Sequence, residues 1–179
     1  MGVRTIVISA FPGVGKTIFF NMIQNTMNSN FVDPDDRQRL PIVIDADSSK
    51  FSWSRPGERN PDFPNNYIKF IKDNIGKADI IFVSTHKEVR DALKDSGIKY
   101  VLVYPKKFLK VEYIERFKTR GSPKPFIDLM NEKWDEFIDD LIADSGNSKV
   151  IQLSSNEYLF NVVVNHMKDF LSTCYNQPE

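Results

Sequence analysis

Arg4-Thr5-Ile6-Val7-Ile8-Ser9-Ala10-Phe11-Pro12-Gly13-Val14-Gly15-Lys16-Thr17 carries the chain from an apolar run, through a loop with two glycines, into a segment where Phe19, Ile23 and Met27 recur every four residues. An unalternating Val/Ile run reads as a strand covered on both faces, and the four-residue recurrence reads as a helix. A loop of small residues at such a joint lets successive N–H groups turn inward, and the helix adds its positive N-terminal dipole. The octapeptide from Ala10 to Thr17 therefore reads as an anion cradle shaped for a nucleoside triphosphate. Phe11, Pro12, Gly13, Val14, Gly15 and Ile18 would wrap the phosphates, Lys16 would reach their outer oxygens, and Thr17 would offer its hydroxyl to Mg²⁺. Ala10 stands where a first glycine is usual, a mild departure unless that position needs a positive φ.

Working outward, four further Val/Ile-rich runs at residues 41–44, 79–84, 99–104 and 149–153 join the run at 4–9 as candidate strands. Helical periods lie between them. Tyr67 or Ile68 with Ile71 and Ile75 stop before Gly76, and Val89 with Leu93 stop before Gly97. Leu109, Tyr113 and Phe117 run to Gly121, after which Ser122-Pro123 opens a helix bearing Phe126, Met130, Trp134, Phe137 and Leu141 before Gly146. Ser154 and Glu157 have capping-box spacing ahead of Leu159, Val163, Met167 and Phe170 or Leu171. Alternating strands and helices predict an α/β fold on a mostly parallel sheet with right-handed crossovers. Residues 45–64 lack clear periodicity and read as a long functional loop.

Composition narrows the function classes. The 179 residues carry 24 Lys+Arg against 24 Asp+Glu, so there is no bulk charge for duplex nucleic acid or an anionic membrane. A 41% hydrophobic content with 14 Phe excludes a disordered segment. The one cysteine, Cys174, makes no disulfide framework or zinc site and fits a reducing compartment. The first apolar run is too short for a secretory core or membrane span, and Ile6 stands where N-myristoylation wants Ser or Thr. The expectation is a cytoplasmic protein of one domain over residues 1–179, with a homodimer allowed.

Asp45 and Asp47 follow the second apolar run, at the carboxyl edge where open α/β sheets bind ligands. One carboxylate can hold a Mg²⁺-bound water while the other takes a proton from an attacking hydroxyl; an Asx-turn at Asp47-Ser48 is the plainer alternative. No acid ends the third run, which finishes in Ser84-Thr85-His86, against a motor or switch ATPase. Ser84 and His86 become acceptor-contact candidates, with Thr85 expected to cap the next helix. Phe51, Trp53, Arg55, Arg59, Phe63, Asn66 and Tyr67 combine ring faces with guanidinium groups, as a base-and-phosphate acceptor needs, although ordinary packing would show the same residues. Arg116 and Arg120 lie four apart on one helical face before the hinge-like Gly121-Ser122-Pro123, placed to stabilise charge on a transferring phosphoryl group. Lys106, Lys107 and Lys110 read as surface.

Together these residues resemble the P-loop kinases of small molecules, the nucleoside and nucleotide monophosphate kinase group, including phage-type deoxynucleotide-kinase and adenylate-kinase-like proteins. The resemblance covers nearly the whole chain, with only the phosphate loop specific. It implies the P-loop NTPase three-layer αβα sandwich with a five-stranded parallel sheet ordered 2-3-1-4-5. It implies a triphosphate at the carboxyl edge, Asp45 on the metal side, Asp47 facing the acceptor, an acceptor loop near 45–66 and a mobile lid near 106–125. The turn at Ser155 would lie near adenine. The expected activity is transfer of the γ-phosphoryl group of Mg·ATP to a nucleoside monophosphate. A hydroxyl acceptor such as a nucleoside, sugar acid or polynucleotide 5′ end, and a non-catalytic nucleotide binder, are the alternatives.

Overall fold

A computed structural model describes residues 5–27, 41–144 and 149–163. Arg4, Gly146, Met167, Phe170, Leu171 and Cys174 lie outside the described residues.

Five strands form one parallel sheet: β1 (Ile6–Ala10), β2 (Val43–Asp45), β5 (Ile80–Val83), β6 (Val101–Pro105) and β7 (Lys149–Leu153). Their spatial order is β2-β5-β1-β6-β7, with Ile6 beside Ile80 and Ile8 beside Val101. The numbering departs from the expected 2-3-1-4-5 because two unforeseen strands, β3 (Trp53–Arg55) and β4 (Glu58–Arg59), form a separate antiparallel hairpin after β2. Among the sheet strands alone, in chain order, the arrangement is second, third, first, fourth, fifth. Every residue of β5 and β6 is buried, as the unalternating apolar runs require of strands covered on both faces.

The helices are α1 (Lys16–Met27), the single turn α2 (Ser49–Ser52), α3 (Asn65–Asn74), α4 (Lys87–Asp95), α5 (Lys110–Thr119) and α6 (Lys124–Asp144), with a 3₁₀ turn over Lys107–Leu109 leading into α5. Helices α3, α4 and α5 each end two residues before the glycine expected to stop them. Residues 159–163 are helical after β7. Trp134 of α6 is fully buried against Phe11 and Tyr113, with ring centroids 5.5 Å away in both cases, and its indole N–H donates to Lys107 O at 2.7 Å. Arg90 of α4 is 1% exposed and ties the sheet edge to α6, donating to Thr85 O at 2.8 Å and to Asp140 and Asp144 at 2.6 Å each.

Three local expectations need correction. Residues 45–64 are not an irregular loop: they fold into α2 and the β3–β4 hairpin, turned at Pro56-Gly57 with Gly57 at φ 81°. His86 rather than Thr85 occupies the N-cap position of α4 and makes no side-chain cap bond, while Thr85 O accepts from Arg90. At Ser154 and Glu157 only half of a capping box forms, the Ser154 N–H donating to Glu157 Oε2 at 2.6 Å. No described helix is long and apolar enough to cross a membrane.

Candidate functional site

The loop between β1 and α1 is held on three sides. Phe11 N–H donates to Val103 O at 2.8 Å, Val14 O accepts from Leu159 N–H at 2.8 Å, and Lys16 Nζ folds back on Ala10 O at 2.8 Å. Gly13 and Gly15 take φ of 81° and 100°, where an L side chain is strained. A Cβ on Gly13 would stand 2.8 Å from Phe117 Cε1 and 3.2 Å from Tyr113 Cδ1, so glycine is required for shape as well as torsion. The first helical N–H to find its partner is that of Phe19, on Gly15 O at 3.0 Å; among the described residues no acceptor pairs with the N–H groups of Gly13, Gly15, Lys16 or Thr17. Unpaired donors wrapped around a concavity at a helix start suit an anion with several oxygens.

This loop floors a cleft of about 1260 Å³. Pro12, Gly13, Gly15, Lys16, Thr17 and Ile18 line it from the loop, Asp45 through Ser49 from the end of β2, Ser84 and His86 from the end of β5, and Glu112, Arg116 and Arg120 from α5. Burial lowers the Lys16 pKa to about 8; Arg120 pushes the same way, while Asp45 and Asp47 oppose. The charge that its ammonium carries is little screened by water. Thr17 Oγ1 donates to Asp45 Oδ2 at 3.1 Å, bringing one hydroxyl and one carboxylate together at the loop's mouth. The described residues hold no cluster of three His, Cys, Asp or Glu for a tightly caged metal. Thr17 and Asp45 are two oxygen donors that would suit a Mg²⁺ ion, which keeps most of its waters when it binds protein.

On the β2 side, Asp47 Oδ1 accepts from Ser49 N–H at 2.9 Å, so the Asx-turn reading describes its geometry while the carboxylate still lines the cleft. Ser84 Oγ is buried without a partner. His86 stands at the lip. Desolvation holds its pKa below the ordinary histidine value, opposed by Glu88 and reinforced by Arg59, Lys16 and Arg90.

Beyond Ser49 the expected acceptor loop does not line the cleft. Tyr67 is fully buried, its hydroxyl donating to Ala46 O at 2.5 Å and accepting from Ser84 N–H at 3.3 Å, and burial raises its pKa. It brackets the ends of β2 and β5 from behind. Phe51 packs on Tyr67 and Phe70, both with centroids 5.0 Å away, and its carbonyl accepts from Asn60 and Asn66. Arg55 is 82% exposed beside Glu58, and Trp53 is exposed on the hairpin. Arg59 is paired with Glu88, its guanidinium 4.8 Å from the Phe63 ring centroid and 5.8 Å from that of Trp53.

The two α5 arginines also part company. Arg116 is packed between Tyr113 and Tyr158, 4.5 and 4.0 Å from their ring centroids, and its guanidinium donates to Gly13 O and Glu157 O at 3.3 Å and to Glu112. Arg120 lies against Phe117 with Nε on Ser122 Oγ at 2.6 Å, and burial lowers its pKa. Ser155 does not line the cleft: its hydroxyl donates to Glu112 Oε2 at 2.8 Å, while its neighbours Asn156 and Tyr158 do line it. Phe11 and Val14 are likewise buried behind the loop.

Glu112 is the residue sequence reading missed. It accepts from Arg116, from Ser155 Oγ and from Asn156 N–H at 3.0 Å, and these bonds outweigh its desolvation to hold its pKa below the ordinary glutamate value. Its position four residues before Arg116 was visible as a helical pair. Its partners across the β7 turn were not. No protein-family model and no curated protein matches this chain.

Proposed function

We propose that the chain is a P-loop NTPase-type phosphotransferase that moves the γ-phosphoryl group of Mg·ATP to a small acceptor. The observation that carries the reading is the meeting of the 10–17 loop with Asp45, through Thr17, at the floor of a cleft that Arg120 also lines. The loop N–H groups and Lys16 would hold the triphosphate, and Arg120 would stabilise charge on the transferring group. Thr17 and Asp45 would hold Mg²⁺, which neutralises phosphate charge when bound. Asp47 would face the acceptor, and closure over the cleft would exclude water, which otherwise competes for the phosphoryl group.

The resemblance implies a nucleoside monophosphate as acceptor. Asp47 in the cleft favours the second reading, a hydroxyl acceptor, because a hydroxyl gains from a general base and an ionised phosphate does not. The test is ADP release from Mg·ATP across monophosphates, nucleosides, sugars and a 5′-hydroxyl oligonucleotide, with Lys16→Ala as blank. Turnover that survives in the blank would refute the reading.

A further inference from the structure

An acid stands on the cationic wall of the cleft. The loop and α5 line that wall with Lys16, Arg116 and Arg120, and Glu112 lines it with them. A carboxylate facing a phosphate site repels the ligand, so under the phosphoryl-transfer reading, on which this inference rests, its charge alone works against binding. Its contacts point to a different task. Oε1 accepts from Arg116 and from Asn156 N–H at 3.0 Å, and Oε2 accepts from Ser155 Oγ at 2.8 Å. Arg116, its side chain 11% exposed, is thereby fixed: it is packed between Tyr113 and Tyr158, and four bonds run from its two terminal nitrogens to Glu112, Gly13 O and Glu157 O. An arginine covered on both faces and bonded at both terminal nitrogens is not free to follow a transferring phosphoryl group.

What Arg116 holds is a loop carbonyl. Gly13 has φ 81° and no side chain, so the peptide plane that follows it can turn at little cost. Turned inward, that carbonyl would set negative partial charge among the N–H groups that suit an anion. The next two carbonyls are held by backbone, Val14 O by Leu159 N–H at 2.8 Å and Gly15 O by Phe19 N–H at 3.0 Å. Gly13 O is held by Arg116 at 3.3 Å, the only side chain among the described residues that bonds it. We propose that Glu112 is a positioning residue for the phosphate loop: by fixing Arg116 it keeps the Gly13 carbonyl turned out of the anion cradle. Its bonds to Ser155 and Asn156 also steady the turn that precedes Leu159, the prop of Val14 O.

Titration calorimetry of the full chain with Mg·ATP, Mg·ADP and inorganic tripolyphosphate tests this by sign. If Glu112 acted only through its charge, Glu112→Ala would tighten binding of all three. The expected result is the opposite: Glu112→Ala weakens all three by a common factor of about 10–100, the range for losing one hydrogen bond to a charged group, and Arg116→Met does the same. Glu112→Gln should bind more tightly than Glu112→Ala, because its amide oxygen still accepts from Arg116. Measuring each variant below its own unfolding midpoint separates the effect from loss of fold, and an equal loss for tripolyphosphate separates it from contact with a base. Unchanged or tighter binding in Glu112→Ala would overturn the proposal, as would an Arg116→Met variant that loses turnover while its ADP and tripolyphosphate affinities hold. Failure of the underlying reading is distinguishable, because wild-type protein would then bind none of the three ligands.

Discussion

The two sides of the cleft are built by different means. On the side proposed for the phosphate donor, the backbone defines the site: two glycines at positive φ, unpaired N–H groups and a lysine returned to its own loop. On the acceptor side, side chains at strand ends do it, and the aromatic and basic residues nearest in sequence are spent on packing and surface pairs. Backbone-defined sites tolerate no change of residue type at a few fixed positions, whereas side-chain-defined sites depend on what tertiary structure brings together. The prediction is that single substitutions in the 10–17 loop are severe and that those on the β3–β4 hairpin are mild.

The largest effect is expected from Lys16→Ala. If the loop holds a triphosphate as proposed, removing its preorganised cation costs about 10²–10³ in turnover, and ADP-release kinetics would measure it. A loss below tenfold would break the contrast at its strongest point. Gly13→Ala comes next, since the new methyl meets Phe117 at 2.8 Å with φ at 81°. Strain of this kind costs about 1–3 kcal/mol, read as a lower denaturation midpoint together with weaker ATP binding. Unchanged values for both would mean that the loop readily reshapes.

Tyr67→Phe sharpens the comparison from the other side. It removes a hydroxyl that joins Ala46 O to Ser84 N–H and leaves both buried backbone groups short of a partner, at a cost of about 1–2 kcal/mol. Stability should fall and turnover with it, because the hydroxyl ties Ala46 to Ser84 just beyond the ends of β2 and β5, where Asp47 and His86 follow, while ATP binding alone should hold. Equal losses in ATP binding and in stability would show that the two walls are not separable.

A pH titration separates the walls without mutation. Lys16 has a pKa of about 8, below its ordinary 10.5, so it loses its charge as pH rises through 8. ATP, which needs that charge, should bind with a Kd that climbs about tenfold per pH unit above the break, the slope for one linked proton. Binding itself pulls the lysine pKa upward, so proton uptake should accompany ATP binding near pH 8. The sign for stability is opposite: the buried ammonium disfavours folding while charged, so this contribution improves as pH rises between about 8 and 10.5. Alcohol binding at the opposite wall should not follow the break, as measured by titration calorimetry at several pH values.

The same division explains how much of the molecule was legible in the sequence. The β1–loop–α1 joint was read correctly because glycine and β-branched residues limit the backbone locally, and the sheet followed from five unalternating runs. The hairpin was not, although Pro56-Gly57 is a turn signal, because strands of three and two residues are too short to show alternation. The role of Tyr67 was hidden for a related reason. A tyrosine beside arginines looks like a binding platform, and only the fold shows that its hydroxyl reaches Ala46, 21 residues earlier. Arg116 and Arg120 looked equivalent by spacing. They differ because Glu112, Tyr158 and Glu157 converge on one and leave the other beside Lys16.

The smallest effect is expected from Arg55→Ala. Its side chain is 82% exposed, and its partner Glu58 lies at 3.9 Å on the same two-stranded hairpin. Exposed pairs of this kind contribute about 0–1 kcal/mol and lose most of that to salt, so ADP-release rates and denaturation midpoints should match wild type. The value of the experiment lies in its contrast with a phosphate-binding role, in which one lost arginine would raise the KM for an anionic acceptor many-fold and leave an uncharged one untouched. A selective KM rise of that kind would mean that the hairpin folds over the cleft during turnover and that the acceptor wall borrows its cations from it. An unchanged KM for every acceptor confines the cationic chemistry of the cleft to Lys16 and the α5 arginines.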